Sequence, residues 1–133
     1  MSTGMASADL NLLVGWVAML LGVVSGAVIG LFFHVDDWAG GYASFRRRLL
    51  RLGHISFFGL GFINLLFGLT LQSITIRSPY AGIASSGFIL GVASMPLCCY
   101  LTAWKRGFRH LFPVPVVSVA AGIVALLAGW YVS

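Results

Sequence analysis

The chain has 133 residues, 59% of them hydrophobic and only 8% charged, where ordinary soluble domains carry roughly 25% charged residues. A mean hydropathy of +0.99 needs lipid as the solvent and excludes a water-soluble globular fold. The net charge of +5 would suit nucleic acid, but seven of the eight basic residues fall in two short segments between apolar runs. They read as topology signals and contacts to lipid headgroups, and no nucleic-acid partner is expected.

The first apolar run covers about 10–33 and follows the uncharged tail MSTGMASA, which lacks the basic start of a secretory signal peptide, so the run is expected to be retained as a helix. A connection over 34–52 carries Arg46, Arg47, Arg48 and Arg51. The second run, about 53–76, leads through the tight SPY turn at Ser78–Tyr80 into a third, about 80–104, so these two should form a hairpin. Pro96 lies deep in the third run and should kink it near Val92–Ser94. A second basic connection, 105–114, carries Lys105, Arg106 and Arg109, and Pro113 and Pro115 open the fourth run, about 115–132. Each run is long enough to cross about 30 Å of hydrocarbon at 1.5 Å per residue.

The connection between the second and third runs holds only Arg77. By the positive-inside rule the two arginine-rich connections are cytoplasmic and both termini are outside. The expected fold is an all-α integral membrane protein: one domain over 1–133, four transmembrane helices in an up-down-up-down bundle, N-out and C-out, multi-pass in the bacterial cytoplasmic (inner) membrane. Trp38, Trp104, Trp130, Tyr80 and Tyr131 fall near span ends, as anchoring rings do, whereas Trp16 falls inside the first span. Small residues should bring the helices together: Gly22, Gly26 and Gly30 on the first, Gly61 and Gly68 on the second, Gly87 and Gly91 on the third, and Ala121, Ala125 and Gly129 on the fourth. That spacing leaves open whether these stripes close the bundle itself or meet other subunits.

The chemistry-bearing residues are few. The adjacent Cys98 and Cys99 point about 100° apart on a helix and are expected as buried thiols without a disulfide. His54, Gly61, Gly68 and Gln72 fall within about 40° of one another on the second helix, with Asn64 about 80° aside, giving a polar, notched face. His34, His54 and His110 all belong to the basic side, so His54 with His34 or His110 could ligate a b-type haem, with Gly61 admitting the porphyrin and Arg47 or Arg51 holding its propionates. The plainer reading makes His54 a boundary residue and pairs Asp36 and Asp37 with nearby arginines. A divalent metal on His34, Asp36, Asp37, His54 and His110 has no ligand spacing to support it, and a transport path along Asn64 and Gln72 has no intramembrane charge to couple it.

The chain contains no glutamate, no acid within the expected spans, no GxSxG elbow and no CxxC pair, so catalysis by its own side chains is not expected. Packing motifs outnumber chemical ones. The expectation is therefore a small accessory subunit of a larger membrane-embedded, bioenergetic (electron-transfer) complex, partnered by lipids and other transmembrane subunits. A b-type haem electron-transfer protein is the alternative, and a small transporter or channel the weaker one.

Overall fold

The structure is a computed structural model that describes residues 3–132; Met1, Ser2 and Ser133, the extremes of the expected tail and domain, lie outside the described residues. Four helices follow one another: α1 (Thr3–Leu31), α2 (Phe45–Ser73), α3 (Tyr80–Trp104) and α4 (Pro113–Tyr131). All four are long and apolar enough to cross a membrane, and no strand occurs among the described residues. Short 3-10 turns occupy Trp38–Gly40 and Arg106–Leu111, so the two basic connections lie at one end of the bundle, called here the arginine end.

Helix boundaries depart from the hydropathy reading where hydrogen bonding outweighs apolarity. α1 starts at Thr3 rather than near Leu10, which carries Asp9, expected outside the spans, onto the exposed side of a helix. α2 starts at Phe45 rather than near Gly53, because the Ser44 hydroxyl accepts the main-chain N–H of Arg47 at 3.1 Å and caps the helix there. Arg46, Arg47, Arg48 and Arg51 therefore ride on the first two turns of α2 and not in a loop. α3 keeps its expected limits and runs unbroken through the buried Pro96. α4 begins at Pro113, whose missing N–H costs little at a first helical position.

α1 packs along α2, α2 along α3 and α3 along α4, and α1 also touches α3; no close backbone approach joins α4 to α1 or α2 among the described residues. The result is a three-helix core with α4 laid on the outer side of α3. Phe67 of α2 meets Phe88 of α3 edge to face, with centroids 5.1 Å apart, and Ala84 and Ala125 close this cluster.

Small residues line both main seams, but not at the expected four-residue spacing alone. The α1 side of the α1–α2 seam is Ala8, Asn11, Gly15, Ala18, Gly22 and Ser25, alternating steps of three and four residues. This is the 3.5-residue repeat of left-handed helix pairs. Gly15 receives Leu65, Gly22 receives the ring of Phe58, Gly26 receives the ring of His54, and Gly68 receives Leu12. Gly61 faces Ala18 and the Gly15 carbonyl. Gly30 is exposed with nothing within 4 Å of where a Cβ would stand, so it takes no part in packing within the described chain. On α4 the seam is Pro115, Ser118, Gly122, Ala125 and Gly129, facing Ala84, Gly87, Phe88 and Gly91 of α3, with Gly129 against Ile76 and Tyr80. Ala121, expected in this seam, is exposed, because a run of four-residue steps drifts around the helix and Gly122 holds the contact instead.

Candidate functional site

Three polar centres lie within the helices. The first ties α1, α2 and α3 together. Asn11 and Asn64 are both fully buried, and the Asn11 side-chain amide donates to Oδ1 of Asn64 at 2.7 Å. The Ser85 hydroxyl donates to Oδ1 of Asn11, and the Asn64 amide donates to the main-chain oxygens of Leu60 at 2.9 Å and Phe88 at 3.2 Å. Every one of these amide groups that would be costly in an apolar interior has a partner. Asn11 and Ser85 were not singled out from the sequence; their positions in the three-four series of α1 and beside the α3 small residues are the signal that could have found them. Gln72, expected on the same polar path, is exposed, so Asn64 serves as a helix clamp and no continuous Asn64–Gln72 path forms.

His54 forms the second centre. Its Nδ1 lies 3.2 Å from the Ser25 hydroxyl of α1, and its ring stands edge-on to Phe58 with centroids 5.4 Å apart. A Cβ on Gly26 would come within 2.5 Å of the imidazole, so the ring occupies the glycine notch completely. Gly61, expected to admit a porphyrin, faces Ala18 and the Gly15 carbonyl of α1, and Gly22 and Gly26 hold the rings of Phe58 and His54. His34 and His110 are exposed on the connections, and neither shares a contact with His54. The α1–α2 seam around His54 is thus filled by this chain's own side chains. No group of three or more metal-ligating side chains gathers among the described residues.

Arg47 is the third centre and is only 1% exposed. Its guanidinium donates to the main-chain oxygens of Phe33 at 3.0 Å, Val35 at 3.3 Å and Asp36 at 3.3 Å. It stands 4.3 Å from the Tyr42 ring centroid, 5.3 Å from Phe33 and 5.5 Å from Trp38. A cation at the first turn of α2 opposes that helix's dipole, but the same cation satisfies carbonyls just beyond the end of α1 and is framed by aromatic faces. Arg47 thus fastens the connection to the helices and has its charge committed to main-chain oxygens, not to the carboxylates of Asp36 and Asp37 or to a free propionate. Arg51 is exposed, and Gly61 is buried against α1.

Cys98 and Cys99 are buried free thiols. Trp16 is 66% exposed and points away from the other helices. Two apolar lateral grooves flank α3. One, about 480 Å³, lies between α1 and α3 beside Tyr100; the other, about 520 Å³, lies where α4 stands off from α2 over Met95. Gly59 and Ala120 line the second groove, and Gly59 has nothing within 4 Å of a Cβ position. Comparison with known family models, curated proteins and solved structures finds no match, so the reading of function rests on these residues alone.

Proposed function

We propose that this protein is a non-catalytic accessory subunit of a larger membrane-embedded complex of the electron-transfer kind. It is multi-pass in the bacterial cytoplasmic membrane, with the arginine end cytoplasmic and both termini outside. The observation that carries the reading is Gly59. A glycine in a helix interior costs about 1 kcal/mol relative to alanine. Gly15, Gly22, Gly26, Gly61 and Gly68 offset that cost by admitting side chains across the α1–α2 seam. Gly59 admits nothing from its own chain, yet it opens the floor of an apolar groove between α2 and α4. Small residues in such a groove let a helix from another subunit approach closely, which is the usual basis of helix association in lipid. The polar groups within the helices support the same reading, because Asn11, Asn64, Ser85 and Arg47 are spent on holding the chain together.

The test is purification from the native membrane in mild detergent, with subunit composition and a reduced-minus-oxidised visible spectrum taken on one sample. A stoichiometric transmembrane partner is expected, and Gly59→Leu should lower its recovery about tenfold, a loss of about 1.4 kcal/mol, while leaving the isolated chain at least as stable as before, since the added side chain meets nothing in its own chain and leucine favours a helix over glycine. A protein that always runs alone overturns the proposal. A sharp band that stays with the isolated chain and vanishes in His54→Ala would replace it with the haem reading.

A further inference from the structure

We infer that the arginine end carries a binding recess for a phosphate group, filled by the headgroup of an anionic phospholipid. The recess, about 340 Å³, lies between the Ala39–Gly40 turn, the start of α2 and the end of α3. Arg46 and Arg106 line it, and Arg109 joins Arg106 and Phe45 around an adjoining hollow of about 220 Å³. No acidic residue lines either one.

Three independent features point to an anion. The first is the hydroxyl of Thr102, which has no hydrogen-bond partner although the residue is only 1% exposed and forms part of the recess wall. A helical threonine usually satisfies its hydroxyl on the preceding turn, so an orphan here asks for an acceptor from outside the chain. The second is the N-terminus of α2. Ser44 caps the Arg47 amide, leaving the main-chain N–H groups of Phe45 and Arg46, both recess residues, without a partner. The third is charge placement. Four arginines and no acid occupy the first two turns of α2, against the helix dipole. Arg47 is compensated by carbonyls, whereas the guanidinium groups of Arg46, Arg106 and Arg109 make no hydrogen bond or ion pair with the described residues. Arg106 is instead held over the Phe45 ring at 5.4 Å, beside the recess.

Guanidinium forks, free amides and a hydroxyl donor match the oxygens of a phosphate. The lipid source is favoured because the recess lies where α3 ends its apolar run, with the exposed Trp104 in its wall. This inference is independent of any partner helix at Gly59.

Native mass spectrometry of the full chain, released from detergent with phosphatidylglycerol, phosphatidylcholine or inorganic phosphate, tests it. Phosphatidylglycerol should be retained about tenfold more tightly than phosphatidylcholine, as expected for one or two charge-assisted contacts. The double variant Arg46→Gln/Arg106→Gln should erase the preference, Thr102→Val should reduce it several-fold, and Arg48→Gln, exposed and outside the recess, should keep it. Millimolar phosphate that displaces the lipid would assign the recess to the free anion, and failure to displace it would assign the lipid. Equal retention of the two lipids overturns the inference. So does a loss in Arg48→Gln as large as in the Arg46→Gln/Arg106→Gln variant, since that would mean diffuse surface charge rather than a built site.

Discussion

The α1–α2 seam and the α3–α4 seam use the same small-residue repeat and hold it by different means. In the first, glycines receive large side chains from across the seam, and two polar contacts, Asn11 with Asn64 and Ser25 with His54, fix the pairing. In the second, Gly91, Gly122 and Gly129 also receive side chains, but at Gly87 backbone meets backbone. A Cβ on Gly87 would lie 2.5 Å from the Ser118 carbonyl and 3.1 Å from the Gly122 Cα, and no side-chain hydrogen bond between α3 and α4 is present among the described residues outside Gly129. A hydrogen-bonded seam specifies register, because a slip leaves amides without partners. A dry seam specifies distance, because nothing larger than hydrogen fits.

That difference predicts graded responses. The largest effect is expected from Gly87→Leu, where the obstacle is main chain and has no rotamer to turn. Its cost should be about 3 kcal/mol or more, with α4 released first. Reversible unfolding in detergent, followed by proteolysis of the 3-10 turn at Arg106–Leu111, would show both. If α4 stayed docked at unchanged stability, the close approach would not be what holds this seam. Asn64→Leu should come next, at about 2 kcal/mol, because it strands the side-chain amide N–H of the fully buried Asn11 and removes the tie from α2 to the Phe88 carbonyl. Its signature is loss of a single α1 position, readable as broadened spin-label distances between α1 and α2. A narrow distribution in that variant would mean that glycine fit alone sets the register.

Smaller still is Gly26→Ala, at about 1 kcal/mol, since its obstacle is an imidazole that can rotate partly away. The double variant with His54→Ala should recover most of that loss, whereas Gly30→Ala, with open space around it, should stabilise by about 0.5–1 kcal/mol through helix propensity. Equal losses at Gly26 and Gly30 would remove the distinction drawn between an occupied and an empty notch.

Much of this architecture was legible in advance. The four helices and the α3 limits Tyr80–Trp104 follow from apolar length and flanking charge. The start of α2 was legible too, in Ser44 three residues before Arg47, but a charge-based boundary overrode the cap. Of the small residues, Gly22, Gly26, Gly61, Gly68, Gly87, Gly91, Ala125 and Gly129 lie in seams, whereas Gly30 and Ala121 do not. Steps of four match the helix over a turn or two and then rotate off the contact line, so Gly15 and Gly122 were missed although the three-four series passes through them.

Apolarity, length and the position of arginines are local properties, so the sequence by itself determined an all-helical chain with four potential membrane spans and one strongly basic end. The tertiary structure alone decided that α4 rests on α3 without reaching α1, that His54 fills a notch, and that Thr102 is left without a partner at the recess. It also decided the fate of Arg47, whose partners are main-chain carbonyls 11–14 residues earlier in the chain. A carbonyl oxygen is the same at every residue. Only the folded path of the backbone, and no residue type, marks which carbonyls an arginine will find.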